Sequence, residues 1–289
     1  MADEFAKRVP VPETITFKQE VFGGPKNLKV GTTVFKPLNT ENEILPVILY
    51  LHGGGWVFGN AITHRKIATD LCLKTHAAVM LVEYSLSPEV KFPVANEQSF
   101  AALCWLREHG SSININPDQI AVVGDSAGGN MAAVVSMMAK DRGIPNAIKA
   151  QILMYPAVDA DFTLYESYKL YGGGECYLSL KEAELCSKAY LPKPALELND
   201  RYATPILATK EDLMGLPPAL VLTSECDILR DGGEAYVSKL IEAGVYTVGM
   251  RILGSIHAFM TTPIPDTPQY RTCIRVVCDF IKEQTNFNQ

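Results

Sequence analysis

Ile120-Ala121-Val122-Val123-Gly124-Asp125-Ser126-Ala127-Gly128-Gly129-Asn130 decides the reading of this chain. The four apolar residues at its start read as a buried strand, and Ser126 to Lys140 reads as a helix. Between them the backbone must reverse within a few residues, which puts Ser126 in a strained turn. Glycines two positions to either side remove the Cβ atoms that would collide there. A Gly-x-Ser-x-Gly so placed exposes the hydroxyl at a helix N-terminus, where backbone N–H groups favour a negative oxygen. The same glycines, as Gly124-x-x-x-Gly128-Gly129, also resemble a dinucleotide-binding turn. That use wants the turn after the first strand of a domain and an acidic residue about 20 positions later. Here two clear strands come earlier, and Ile144-Pro145-Asn146-Ala147-Ile148 supplies no acid.

Outward from the elbow, strands and helices alternate. Val47 to Leu51 and Ala78 to Val82 read as buried strands, with a helix from Ile62 to Thr75 between them. A helix over Asn96 to Glu108, closed by His109-Gly110, leads into the elbow strand. Ala150 to Tyr155, Ala219 to Thr223 and Thr247 to Leu253 read as further strands. Helices from Gly233 to Ala243 and from Gln269 to Glu283 follow the last two in turn. Continuous apolar strands separated by helices imply an α/β fold, a mostly parallel, doubly wound sheet with helices on both faces. Two stretches break the rhythm. Residues 1 to about 43 have few strong apolar runs, with a turn at Gly23-Gly24-Pro25 and a hairpin around it. Residues about 160 to 212 carry Gly172-Gly173-Gly174, a short helix near Ser179 to Tyr190, and Phe162, Tyr165, Tyr168, Tyr171 and Tyr177, which favour a packed lid.

At 289 residues the chain sits near the upper limit for one domain, and 47% hydrophobic with 20% charged residues is a globular composition. A net charge of −6, with no Lys/Arg run longer than Arg65-Lys66, argues against nucleic-acid or anionic-membrane surfaces and leaves a small molecule as partner. The mixed charges of Met1 to Arg8 do not read as a signal peptide, and no apolar stretch approaches the ~20 residues of a membrane span. Seven cysteines without a Cys-x-x-Cys fit reduced thiols, so a cytosolic (cytoplasmic) enzyme is the expectation.

A serine nucleophile needs a base, and with an elbow of this type the chain order is Ser, then acid, then His. His257 is the one histidine after Ser126, and it lies just past a strand, where loops at the carboxyl edge of a parallel sheet build sites. For the acid, Asp227 stands at the carboxyl end of the preceding strand, with Glu225 as runner-up. Asp231 reads as a helix cap in Asp231-Gly232-Gly233-Glu234, and Asp161 and Asp212 as lid boundaries and caps. His109 closes a helix, and His64 and His76 read as surface positions. Oxyanion donors come from the glycine-rich His52-Gly53-Gly54-Gly55-Trp56 after the first strong strand, with Ala127 N–H beside the nucleophile. His52 reads as a brace for that loop. No Gly-Lys-Ser/Thr follows it, so it is not a phosphate loop.

Taken together these motifs resemble the hormone-sensitive-lipase-like family of α/β-hydrolases, in its carboxylesterase branch. His52-Gly53-Gly54-Gly55-Trp56 is similar to the family's HGGG signature, and Gly124-Asp125-Ser126-Ala127-Gly128 to its GDSAG elbow. Leu216-Pro217-Pro218-Ala219 leading to Asp227, then His257-Ala258-Phe259, occupy the places of the family acid and base. The resemblance covers roughly residues 45 to 285. It implies the α/β-hydrolase fold over 1–289, Gly54 and Gly55 as oxyanion donors, and a cap formed by about 1–43 and about 160–212. It departs at Tyr84-Ser85-Leu86-Ser87-Pro88-Glu89, where Arg and Ala are usual, at Cys226 and Ile228 beside the acid, and at Ala258 in place of Gly.

The expected chemistry is hydrolysis of short- to medium-chain carboxylic esters by Ser126, His257 and Asp227 through an acyl-enzyme, with no cofactor and no metal. Activity should rise with pH as a histidine near 6–7 loses its proton. Trp56, Phe58, Tyr84 and Phe259 are candidates to line the acyl pocket. Amide, formamide or lactone hydrolysis by the same triad is the alternative reading, and a non-catalytic receptor on this fold is a third that an intact triad disfavours. Edge-strand pairing could make a homodimer.

Overall fold

The computed structural model describes residues 2–7, 9–262, 266–285 and 287. In chain order the elements are α1 (Ala2–Ala6), β1 (Ile15–Gly23), β2 (Leu28–Lys36), β3 (Leu45–Leu51), α2 (Arg65–Thr75), β4 (Ala78–Glu83), α3 (Val94–His109) and β5 (Ile115–Asp125). They continue with α4 (Ala127–Asp141), β6 (Ala150–Met154), α5 (Glu166–Tyr171), α6 (Leu180–Tyr190), α7 (Ala195–Leu198), α8 (Lys210–Leu213), β7 (Ala219–Cys226), α9 (Arg230–Glu242), β8 (Thr247–Ile256) and α10 (Pro268–Thr285).

All eight strands form one sheet in the order β1-β2-β4-β3-β5-β6-β7-β8. The β1/β2 and β2/β4 pairs are antiparallel and the rest are parallel. Every residue of β3 and of β6 is buried, as an unbroken apolar run requires when helices cover both faces. The side chains still alternate. Val47, Leu49 and Leu51 pack on one side with residues of α3, α4 and α9, while Ile48 and Tyr50 pack on the other with α2 and α10. The sheet is thus doubly wound, and the α/β-hydrolase reading holds.

The N-terminal expectation needs correction. Ile15–Lys36 forms a hairpin through the Gly24–Asn27 turn, and β2 pairs with β4, so this hairpin extends the sheet and does not lie over the site. Its half-exposed alternation, with Val21 and Val30 buried opposite one another, suits an edge but gave too little apolar signal to mark it as core. Among the described residues of 1–43, Ala6 reaches the cavity described below. Several ends also shift. The elbow helix starts at Ala127, and α9 starts at Arg230, three residues earlier than its glycine pair suggested.

Chain order fixes where a site can form. From β3 the chain crosses to β4 on one side and returns through α3 to β5 on the other, which leaves a crevice between the carboxyl ends of β3 and β5. The loop after β3 and the turn after β5 meet there. Between β6 and β7 the chain makes a long excursion carrying α5 to α8. Among the described residues no helix is long and apolar enough to cross a membrane, and all seven cysteines are unbridged.

Candidate active site

Ser126 has φ +54° and ψ −117°, outside the conformations that a non-glycine residue adopts without strain. Packing around it explains the flanking glycines. A Cβ on residue 124 would lie 2.1 Å from Gly128 O, and one on residue 128 would lie 1.9 Å from Leu51 O. The strained turn is held by Ser126 N–H donating to Met154 O at 2.8 Å, and by Asn130 N–H and Ala157 N–H donating to Ser126 O.

The structure brings the three candidate catalytic residues together. His257 Nε2 stands 2.9 Å from Ser126 Oγ, and His257 Nδ1 stands 2.7 Å from Asp227 Oδ2. A carboxylate accepts only, so the imidazole carries its proton on Nδ1 and turns the Nε2 lone pair toward the serine hydroxyl. Asp227 Oδ1 accepts from Leu229 N–H at 2.9 Å, which fixes the carboxylate plane. Asp227 and His257 are 1% and 4% exposed, and Ser126 is 9% exposed at the cavity floor. The edge of Tyr155 rests against the imidazole, with ring centroids 5.1 Å apart.

The glycine loop after β3 supplies donors nearby. Gly54 and Gly55 have φ +113° and +60°, and a Cβ on either would strike Phe58 O at 2.1 Å or Cys186 Sγ at 2.5 Å. Peptide planarity ties each N–H to the carbonyl before it, which points the opposite way. His52 Nδ1 donates to Gly53 O at 2.8 Å, and Val57 and Phe58 N–H donate to Gly54 O. These bonds orient the N–H groups of Gly54 and Gly55. Among the described residues neither these two nor Ala127 N–H, at the first position of α4, has a protein acceptor.

His52 is the brace that the sequence suggested. It is fully buried, its ring stacks on Tyr84 at 4.1 Å, and burial lowers its pKa to about 3, so it stays neutral. Tyr84 OH donates to His52 O at 2.8 Å, so Tyr84 supports the loop from below and does not line the pocket. Phe259 packs in the core beside Tyr155. Trp56 and Phe58 do line the cavity, which holds about 580 Å3 and is walled by Phe162, Tyr177, Leu185 and Tyr190 from the excursion between β6 and β7. Trp56 and Tyr190 stack with centroids 4.2 Å apart and planes 1° from parallel.

Three expectations change. Glu225 Oε2 accepts from Gly254 N–H at 2.7 Å, so the runner-up acid serves the turn before His257. Asp231 forms no capping box. The residue before α9 is Leu229, without a side-chain cap, and Asp231 pairs with Arg230 Nε at 2.8 Å and accepts from Ser167 N–H. His64 is buried, 6% exposed, with Nε2 facing Asp125 Oδ1 at 3.4 Å. In the sequence Asp125 is one letter of the elbow motif, with no local sign of a separate role. It is buried and accepts from Tyr50 OH and Gly53 N–H, both at 2.9 Å. Burial alone would raise its carboxyl pKa, but the nearby His64 charge and the donors outweigh that and hold it below the usual range.

Relatives carry the same architecture. A fungal esterase of Rhizomucor miehei superposes with TM-score 0.95 at 46% identity, over 100% of this chain and 89% of that one. A thermostable esterase of Pseudomonas putida gives 0.92 at 36%, over 98% and 88%. The arylesterase of Saccharolobus solfataricus is 33% identical over 254 residues, 88% of this chain and 79% of that protein. The α/β-hydrolase fold family matches residues 48–261. With its glycine loop, serine elbow and esterase relatives, the chain belongs to the α/β-hydrolase family, in the hormone-sensitive-lipase-like group.

Proposed function

We propose that this chain is a serine carboxylic-ester hydrolase acting on small, short- to medium-chain esters, with Ser126 as nucleophile, His257 as base and Asp227 as the orienting acid. The observation that carries this reading is the unbroken hydrogen-bonded line from Ser126 Oγ through His257 to Asp227 at the floor of the cavity. Ser126 Oγ attacks the ester carbonyl as its proton passes to His257 Nε2, and the buried carboxylate stabilises the imidazolium. The N–H groups of Gly54, Gly55 and Ala127 donate to the developing oxyanion, each worth about 2.7–4 kcal/mol in a desolvated site. His257 then protonates the leaving alkoxide, and a water activated by the same imidazole releases the acid from the acyl-enzyme.

The cavity supports the substrate class. About 580 Å3, walled by Trp56, Phe162, Leu185 and Tyr190, suits a small apolar ester and falls within the range of small-molecule pockets. The arylesterase relative agrees with aromatic walls. In this reading the excursion of about 160–212, with α1, is the cap that shields the acyl-enzyme from bulk water. The test is a panel of p-nitrophenyl esters graded from acetate to palmitate, with the matched p-nitroanilides. Turnover should peak on short to medium esters and fall on palmitate. Faster cleavage of the anilides, or none of the esters, would overturn the assignment.

A further inference from the structure

Asp125 stands outside the proton-transfer line, yet three loops of the site converge on it. Its Oδ1 accepts from Tyr50 OH of β3 and from Gly53 N–H of the glycine loop, each at 2.9 Å, and faces His64 Nε2 at 3.4 Å. Its Oδ2 lies 3.4 Å from Thr261 Oγ1, four residues beyond His257. The next residue in the chain is Ser126. Contact with the glycine loop is so close that a Cβ on residue 53 would fall 2.3 Å from Oδ2.

His64 completes the arrangement. Its Nδ1 faces Thr63 Oγ1 at 2.9 Å and Asn60 O at 3.3 Å, and Thr63 Oγ1 lies 2.9 Å from Asn60 O. A carboxylate accepts only, so the His64 Nε2–H points at Asp125 Oδ1, and the contacts on Nδ1 hold the ring in that orientation. Gly53 is in turn held at both ends, by Asp125 on its N–H and by His52 on its carbonyl. A glycine has no side chain to restrict its backbone, so without these bonds the peptide carrying Gly54 N–H would be free to turn.

We propose that Asp125, with His64 as its hydrogen-bond partner, is the positioning residue of the oxyanion hole: by anchoring Gly53 it fixes the direction of the Gly54 and Gly55 donors. The inference rests on the serine-hydrolase reading above. A group of this kind acts where the oxyanion forms, so its loss lowers the rate of the chemical step and leaves ground-state binding in place.

The experiment compares wild type, Asp125→Asn, Asp125→Ala and His64→Gln on p-nitrophenyl butyrate. It also measures inhibition by an alkyl trifluoromethyl ketone, which forms an anionic adduct on serine, and by the parent methyl ketone, which reports ground-state binding. Asp125→Asn keeps an oxygen for Tyr50 and Gly53 but loses the charge, so kcat should fall about tenfold, and in Asp125→Ala about 100-fold, with KM moved less than about threefold. His64→Gln should move kcat in the same direction by a smaller factor. Affinity for the trifluoromethyl ketone should fall in step with kcat while that for the methyl ketone stays put. If Asp125→Ala does not fold, the near-isosteric Asn variant carries the same readouts. Wild-type kcat in the Asp125 variants, or a loss shared equally by KM and both ketones, would overturn the proposal while leaving the hydrolase reading intact. A wild-type chain without ester turnover would overturn both.

Discussion

Replacing Asp227 by Asn changes one atom and should disable the base. Asp227 Oδ1 accepts from Leu229 N–H and Oδ2 accepts from His257 Nδ1–H. In Asp227→Asn the carbonyl oxygen must stay on the Leu229 side, because an amide NH2 there would meet another donor. The NH2 then faces Nδ1, the imidazole proton moves to Nε2, and the ring presents a donor to Ser126 Oγ where an acceptor is needed. The electrostatic loss adds to this. With charge centres about 4 Å apart and an effective dielectric near 20, the carboxylate stabilises the imidazolium by about 4 kcal/mol. At about 1.4 kcal/mol per tenfold in rate this is roughly a thousandfold, and the wrong tautomer carries the loss toward about 10⁴. The assay is kcat on saturating p-nitrophenyl butyrate near neutral pH, with thermal unfolding as the check on the fold. Glu225→Gln is the control, since Glu225 holds only Gly254 N–H and should stay within a few-fold of wild type. An Asp227→Asn enzyme within tenfold of wild type, or a larger loss in Glu225→Gln, would refute the assignment of the acid.

Other outcomes follow from the same geometry. His52 is fully buried with its pKa lowered to about 3 by burial, against an ordinary value of 6.5. Between those values the unfolded chain binds a proton that the folded one does not, so this contribution to stability is full above about pH 6.5 and shrinks as pH falls, by about 2 kcal/mol at pH 5. Denaturant unfolding at pH 7 and 5 should therefore show less acid destabilisation in His52→Asn than in wild type; equal losses would contradict it. Gly55→Ala places a side chain at φ +60° against Cys186 Sγ, so stability should drop by about 1–2 kcal/mol from the backbone alone, with a further steric loss. Adding Cys186→Ala should recover the steric part in thermal unfolding, and no recovery would place the clash elsewhere. Tyr190→Ala removes a fully buried ring stacked on Trp56 and a hydroxyl bonded to Asn96, which should cost about 3–5 kcal/mol and raise KM more than it lowers kcat. An unchanged KM would separate Tyr190 from the substrate cavity.

Local pattern carried the parts of the fold and site that depend on local geometry. The apolar runs of β3, β5 and β6 and the strand-to-helix reversal at Ser126 are written in consecutive residues; chain order then points to His257, and position at the carboxyl end of a strand to Asp227. What escaped was set by tertiary packing. The β1/β2 hairpin has half-exposed residues because it forms the edge of the sheet, and nothing local tells an edge from a cap. His64 lies in a polar stretch before α2, and only the fold turns it inward onto Asp125. Asp231 matched a capping box by spacing, but α9 begins a residue before it, and its carboxylate was taken by Ser167 and Arg230 from elsewhere in the structure. Of the four aromatics considered for the pocket, Trp56 and Phe58 lie in the glycine loop that enters the cavity. Tyr84 and Phe259 lie behind the residues that do.

The central claim is that Ser126 is the nucleophile. The most direct measurement treats the chain with diethyl p-nitrophenyl phosphate and follows residual ester hydrolysis against the mass of the labelled protein and of its peptides. Activity should vanish in proportion to one diethylphosphoryl group per chain, located on Ser126, and Ser126→Ala should take up no label and show no turnover above background. A label on another residue that abolishes activity, or an Ser126→Ala variant that still hydrolyses esters at the wild-type rate, would contradict it.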